Sequence, residues 1–322
     1  MNKVVIVGCG NVGMAYAYSL VISGSFVDEI VLIDVNKDKA EGEALDLNHA
    51  LCYAPKKIII RGGDYSDCDN ASIVCICAGA AQSPGETRTD LLQKNIKIFK
   101  SIVQSINKTK FKGIYLVATN PLDTMTYATM KFSGFNPNKV LGSGTTLDTA
   151  RLKYLIAKEL NVNAKDVHAY VLGEHGDSEF VAWDNAVVGG NRCDMLLTKN
   201  QMSKINYDVK TSAYDIINKK GNTCYGIGMC LMEITNSILN NEQKILTVSC
   251  YNNEHDCYFS KPCIIGKNGI KKQLFIKLSN LDTAKLIDSI TKLQDDKRTV
   301  INRFNWFLKD LIFAVFATFY TK

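Results

Sequence analysis

Proline, tryptophan and histidine are scarce in this 322-residue chain, at five, two and four residues. So few prolines, with 22 glycines in no repeating pattern, exclude collagen-like and polyproline architectures. His49, His168, His175 and His255 show no ligand-type spacing with one another or with cysteine, and C-x-x-C pairs are missing, so no metal centre is expected. The charge balance is +6, yet no basic run is longer than a pair such as Lys56-Lys57. That scatter excludes a nucleic-acid-binding stripe and leaves the excess as solvated surface. Arginine supplies only six of the 38 basic residues, and because Arg alone offers a planar fork to a carboxylate, each one is a candidate for a specific task.

The eleven cysteines are odd in number and several alternate inside apolar runs, as in Ile73-Val74-Cys75-Ile76-Cys77. This is the pattern of reduced, buried thiols in a cytoplasmic protein rather than of a disulfide framework. Val4 to Val27 carries no charge and is long enough for a membrane helix, but Gly8-Cys9-Gly10 interrupts it. The stretch reads better as strand, glycine turn and helix, and no membrane span is expected.

The chain length suits two domains. Short β-branched runs at Val4–Val7, Ile30–Ile33, Lys57–Ile60, Ile73–Cys77 and Ile114–Val117 alternate with helical stretches at Asn11–Ser23, Asn36–Ala50 and Asp90–Asn107. Such alternation predicts a doubly wound parallel α/β sheet, the Rossmann arrangement, over 1–143. A second α+β domain over 144–301 follows, with a helix at Leu147–Leu160, a strand at Val167–Val171, mostly helix over Gln201–Asn240 and a hairpin-like stretch at Thr247–Ile270. Residues 302–322 form an aromatic tail interrupted only by Lys309 and Asp310 between Phe304 and Tyr320, too short and too charged for a good span. Its role is open between a packed or inert end and an interfacial or partner-facing helix.

Gly8-x-Gly10-x-x-Gly13 follows a strand and opens a helix, and Asp34 ends the next strand 21 residues beyond Gly13. Glycines there permit a tight turn and close approach of a pyrophosphate to a helix N-terminus. Asp34 would bind ribose hydroxyls and repel a 2′-phosphate, which selects NAD over NADP. At other predicted strand ends stand Ala78-Gly79-Ala80-Ala81-Gln82-Ser83-Pro84-Gly85-Glu86-Thr87-Arg88, a loop placed to cover a site, and Asn120-Pro121. Asp148 and Arg151, spaced i and i+3, share one helix face, as a surface ion pair also would. His175 lies between glycines in Gly173-Glu174-His175-Gly176-Asp177, where it is accessible for proton transfer.

Together these motifs resemble the NAD-dependent lactate/malate dehydrogenase family, most closely its bacterial L-lactate dehydrogenases, over residues 3 to about 295. The resemblance implies that His175 exchanges the substrate proton and that Asp148 orients it. Arg151 would grip the substrate carboxylate, while Arg88, with Asn120, polarises the carbonyl. NAD contacts are implied at Gly8, Gly10, Val12, Gly13, Asp34, Lys39, Tyr65, Gly79, Ala80, Ser101, Val117, Thr119 and Asn120. Thr223 would lie beside the substrate side chain, and the Asn120-Pro121 bond would be cis. Gln82 matches the position where malate dehydrogenases carry a guanidinium, so pyruvate/L-lactate is the expected pair, and malate or a branched 2-oxo acid is the alternative. An imidazole near pKa 7, raised by Asp148, would run the reaction both ways. A catalytically silent NAD-binding protein is the competing reading from another class.

The resemblance further implies a homo-oligomer, a tetramer, in the cytoplasm. Lys153 and His168 stand where effector-regulated relatives bind fructose 1,6-bisphosphate between subunits. Lys in place of the usual Arg, and a His that is charged mainly at acid pH, imply weak activation that fades as pH rises.

Overall fold

The computed structural model describes residues 1–80 and 87–320, with the side chains of 88, 89 and 302–320 left out. The first half runs β1 (Lys3–Val7), α1 (Asn11–Ile22), β2 (Glu29–Ile33), α2 (Lys37–Ala50), β3 (Ile59–Gly62), β4 (Ile73–Ile76), α3 (Arg88–Asn107), β5 (Ile114–Val117), α4 (Leu122–Ser133) and β6 (Val140–Gly142). The second runs α5 (Thr146–Leu160), β7 (Val167–His168), β8 (Val171–Leu172), β9 (Phe180–Val181), β10 (Val187–Val188), β11 (Asn191–Arg192), α6 (Cys193–Leu196), α7 (Lys199–Lys220), α8 (Tyr225–Leu239), β12 (Lys244–Asn252), β13 (Cys257–Gly266), β14 (Gly269–Gln273) and α9 (Asn280–Tyr320).

β1, β2, β4 and β5 are buried along their whole lengths, which is why they read as continuous apolar runs. They pair in parallel in the order β6-β5-β4-β1-β2-β3, with helices on both faces, as expected of the doubly wound arrangement. One apolar cluster lies on each face, the first running through Val4, Ile6, Leu20 and Leu32, the second through Val5, Val7, Ile96 and Phe99.

Three features differ from the sequence reading. The hairpin stretch is not a separate sheet of the second half. β12, β13 and β14 extend the parallel sheet as antiparallel strands, making nine in all, through a single register contact between Ser249 and Gly142. The expected strand over Val167–Val171 is two strands in different sheets, β7 on β10 and β8 on β9. The aromatic tail is not set off from what precedes it, because the backbone of α9 is helical without interruption across residue 302. Among the described residues, no helix is long and apolar enough to cross a membrane. The charge-free opening folds as β1, turn and α1, and all eleven cysteines are free, with only Cys52 exposed.

Candidate active site

The carboxyl ends of β1, β2 and β4 converge at the glycine turn. Gly8 N–H donates to Ile33 O at 2.7 Å and Cys77 N–H to Val7 O at 2.8 Å. Gly8 takes φ +103°, and a Cβ on it would lie 2.5 Å from the backbone nitrogen of Ala78, so only glycine lets the turn pass this close to the end of β4. Beyond it α1 begins with no side chain capping its first turn, and nothing lies within 4 Å of a Cβ built on Gly10. Open N–H groups facing free space form an anion cradle that fits a dinucleotide pyrophosphate. Asp34 braces this turn, accepting from Cys9 N–H at 2.8 Å and Asn36 N–H at 3.0 Å, and its oxygens keep lone pairs for ribose hydroxyls.

The other implied cofactor positions are distributed around this edge. Gly13 and Val12 sit in the first turn of α1 and Val117 is buried in β5. Thr119 donates to Ala78 O at 2.9 Å, and Ala80 N–H donates to Asn95 Oδ1 at 2.8 Å, with Gly79 backed directly onto Thr119. Asn95 also holds the Asn120 carbonyl at 2.9 Å, and Asn120-Pro121 is cis. Lys39 is exposed on α2, Tyr65 half-buried after β3 and Ser101 exposed on α3. The Lys39 charge reaches the Cys9 thiol of the glycine turn, and the Asp34 carboxylate reaches the Tyr65 hydroxyl. Arg88 begins α3 behind the Thr87–Asp90 capping box, its side chain left out, and Gln82 lies outside the described residues.

A second cluster forms where α5 meets the loop between β8 and β9. The His175 Nδ1 lies 2.7 Å from Asp148 Oδ2, and Arg151 donates to Asp148 Oδ1 at 2.6 Å. Asp148 is 2% exposed and Arg151 14%, so this is a buried pair and not the surface pair its spacing also allowed. Thr145 Oγ1 donates to Val171 O at 2.6 Å and Val171 N–H to Thr149 Oγ1 at 3.0 Å, fastening α5 to the strand that precedes the His loop.

Residues beyond the sequence reading hold that loop. Asp123, buried in the first turn of α4, accepts the His175 backbone N–H at 2.8 Å and the Ser249 hydroxyl from β12. Ser289 of α9 accepts Glu174 N–H at 2.8 Å, and Ser178 Oγ donates to Glu174. Glu179, 4% exposed, brings a carboxyl oxygen into a group with Asp148 and His175 in which one donor atom of each lies within 4.8 Å of the others. Only the position of Asp123 three residues after Asn120 could have flagged any of these from sequence.

Burial alone would depress the His175 imidazole. The Asp148 carboxylate, by its charge and its hydrogen bond, outweighs that, and the pKa is pushed up to about 9 rather than lying near 7. Burial opposes charge on Asp148 as well, but His175 and Arg151 hold its carboxyl below the usual range. Burial raises Asp123 to about 6 despite its bonds to Ser249 and His175. Among the described residues, only Nε2 of the His175 ring is left without a protein partner.

Thr223 is half-buried in the turn between α7 and α8, behind Gly221. Lys153 lies on the opposite side of α5 from Asp148. It lines a cavity of about 410 Å³ with Thr149, Tyr170, Met229, Glu233 and Thr247, while His168 is exposed on β7. Burial and then the nearby Lys244 lower the Lys153 pKa.

This convergence of an open anion cradle with a buried Arg–Asp–His chain agrees with comparisons to known proteins. The description of the lactate/malate dehydrogenase NAD-binding domain matches residues 2–142, and that of the same family's alpha/beta C-terminal domain matches residues 145–303. The chain belongs to the lactate/malate dehydrogenase family. L-lactate dehydrogenase of Geobacillus sp. (strain WCH70) is 48% identical over 305 residues, 92% of this chain and 95% of that one. The Macrococcus caseolyticus (strain JCSC5402) L-lactate dehydrogenase is 48% identical over 302 residues, covering 91% and 96%. Among solved structures, a lactate dehydrogenase from a Medee basin deep-sea metagenome superposes with TM-score 0.91 at 44% identity, and the minor L-lactate dehydrogenase of Enterococcus mundtii in ligands-bound form with 0.91 at 41%. Both cover 93% of this chain and 98% of their own. As a member of the family, the chain is an oxidoreductase of the L-lactate dehydrogenase type.

Proposed function

We propose that this protein reduces pyruvate to L-lactate with NADH, reversibly, and that His175, Asp148, Arg151, Arg88 and Asn120 carry the reaction. The observation that carries this reading is the buried chain Arg151–Asp148–His175, which a silent cofactor-binding protein would have no use for. The glycine turn and Asp34 would hold NADH, which would supply the hydride when bound. With Nδ1 held by Asp148, the protonated His175 presents Nε2–H to the ketone oxygen and gives up that proton as the oxygen becomes a hydroxyl. The remaining Arg151 donors would take the substrate carboxylate through paired hydrogen bonds. Arg88 from the start of α3, with Asn120, would stabilise the developing oxyanion. Thr223 would border the substrate methyl group, and the implied NAD-contacting residues would surround the glycine turn.

Initial rates of NADH oxidation with pyruvate, oxaloacetate and 2-oxoisocaproate test the substrate assignment. Pyruvate should give the highest kcat/KM. Gln82→Arg should shift the oxaloacetate-to-pyruvate ratio of kcat/KM upward by at least about tenfold, roughly 1.4 kcal/mol, because the added charge has a partner in only one substrate. A smaller shift means residue 82 does not face the substrate.

The imidazole of His175 must be protonated for reduction and neutral for oxidation. Its raised pKa therefore predicts that pyruvate reduction stays high through neutrality and falls as pH rises through about 9, while lactate oxidation climbs over the same range. Rate profiles in both directions, measured on stable enzyme, check this. A reduction limb below pH 7 would contradict the assignment.

We further place the protein in the cytoplasm as a tetramer with Rossmann and catalytic domains divided near residue 143. Fructose 1,6-bisphosphate is its weak activator through Lys153 and His168. The half-buried Lys153, its charge weakened by burial and by Lys244, supports low affinity. Millimolar effector should lower the pyruvate half-saturation concentration at about pH 6 more than at pH 8, by some 5–150-fold if the coupling is about 1–3 kcal/mol. No shift at either pH rejects the site, and equal shifts reject the role of His168.

A further inference from the structure

Glu179 is a buried carboxyl that the reaction as derived does not use. The loop from Gly173 to Glu179 folds back on itself through Glu179 N–H to Gly176 O at 3.1 Å, and this return places the side chain against Asp148. Two carboxyl groups this close, in a site that excludes water, cannot both be ionised cheaply. Asp148 holds the stronger claim to the negative charge, since Arg151 and His175 both bind it. The direct ion pairs of Arg151 and His175 go to Asp148, and both act on Glu179 only from farther away.

We propose that Glu179 is a positioning residue that keeps its proton at neutral pH and donates it as a hydrogen bond to Asp148, fixing the carboxylate that orients His175. Asp148, His175 and Arg151 by themselves then sum to a single positive charge, which suits an incoming substrate carboxylate. An ionised Glu179 would leave a surplus negative charge facing the substrate. The groups around it pull both ways, and burial with Asp148 prevails. From α5 come Asp148 and Arg151, from the same loop His175, from α4 Asp123, and from α8 the buried thiol of Cys230. Lys210 of α7 reaches the exposed carbonyl of Asp177, and Lys285 of α9 pairs with Asp282 and lies over the Phe180 ring. Burial, then the Asp148 carboxylate within 4.8 Å, push the Glu179 carboxyl up to about 9 against the opposing pull of His175 and Arg151.

This inference rests on the proposed reaction, whose own success is read from wild-type turnover of pyruvate. Its test compares Glu179→Gln, which keeps a neutral donor of the same shape, with Glu179→Leu, which keeps none. At pH 7 the Leu enzyme should lose kcat for pyruvate reduction by about 10–100-fold with little change in KM, and the Gln enzyme should recover most of that loss. Infrared difference spectra at pH 7 should show a protonated-carboxyl stretch in wild type that is absent from Glu179→Gln, a readout that needs neither turnover nor a folded Leu variant. A Gln enzyme as impaired as the Leu enzyme, a Leu enzyme equal to wild type, or no protonated-carboxyl band in wild type would each overturn the proposal.

Discussion

His175→Ala is expected to lower kcat for pyruvate reduction by about 10²–10⁴-fold while leaving NADH affinity essentially unchanged. The ring contributes Nε2 to the substrate, but the loop around it is held by other atoms. Its backbone N–H goes to Asp123, Glu174 is fixed by Ser289, and Gly173 N–H bonds Ser260 O at 3.1 Å. The glycine turn shares none of these contacts. Rapid-mixing measurement of NADH oxidation in a single turnover, together with NADH fluorescence titration, separates the two effects. Hydride transfer near the wild-type rate would remove His175 from the mechanism.

Arg151→Leu should cost about 3–5 kcal/mol in kcat/KM for pyruvate, roughly 10²–10⁴-fold, because a buried anion then loses its paired hydrogen bonds. Two anions suffer at once: the substrate carboxylate and Asp148 Oδ1, which Arg151 donates to at 2.6 Å. Arg151→Lys keeps the charge without the paired geometry and should fall between the wild type and Leu. Steady-state kinetics on all three enzymes decide it. A Lys enzyme equal to wild type would show that charge alone suffices.

Most of the frame was legible because its determinants are local. Buried parallel strands read as unbroken apolar runs, the glycine turn lies between the first strand and helix, and Asp148 and Arg151 fall on one face by helical spacing. α4 was not legible, because Leu122–Met130 is buried on every side and carries three threonines, which lower helix propensity. With α4 went Asp123 and its hold on the catalytic loop. The break between His168 and Val171 hides in what looks like one alternating strand, since partners β10 and β9 decide it from afar. Glu179 depends on a loop closing on itself, which no periodicity announces.

The joining of β12 to β6 bears on how the chain can be cut and how it is made. A fragment ending near residue 143 would leave β6 with a bare outer edge, a row of open N–H and C=O groups that templates pairing with another copy, and it should aggregate rather than persist as a free cofactor-binding module. The same strand brings Ser249 to Asp123, and α9 brings Ser289 to the His loop, so the catalytic loop is braced by residues synthesised long after His175 itself. The residues of the dinucleotide cradle emerge within the first half, but α1 behind it is covered only when α8 arrives and Tyr16 meets Thr235. Competence for proton transfer must wait until almost the whole chain has emerged.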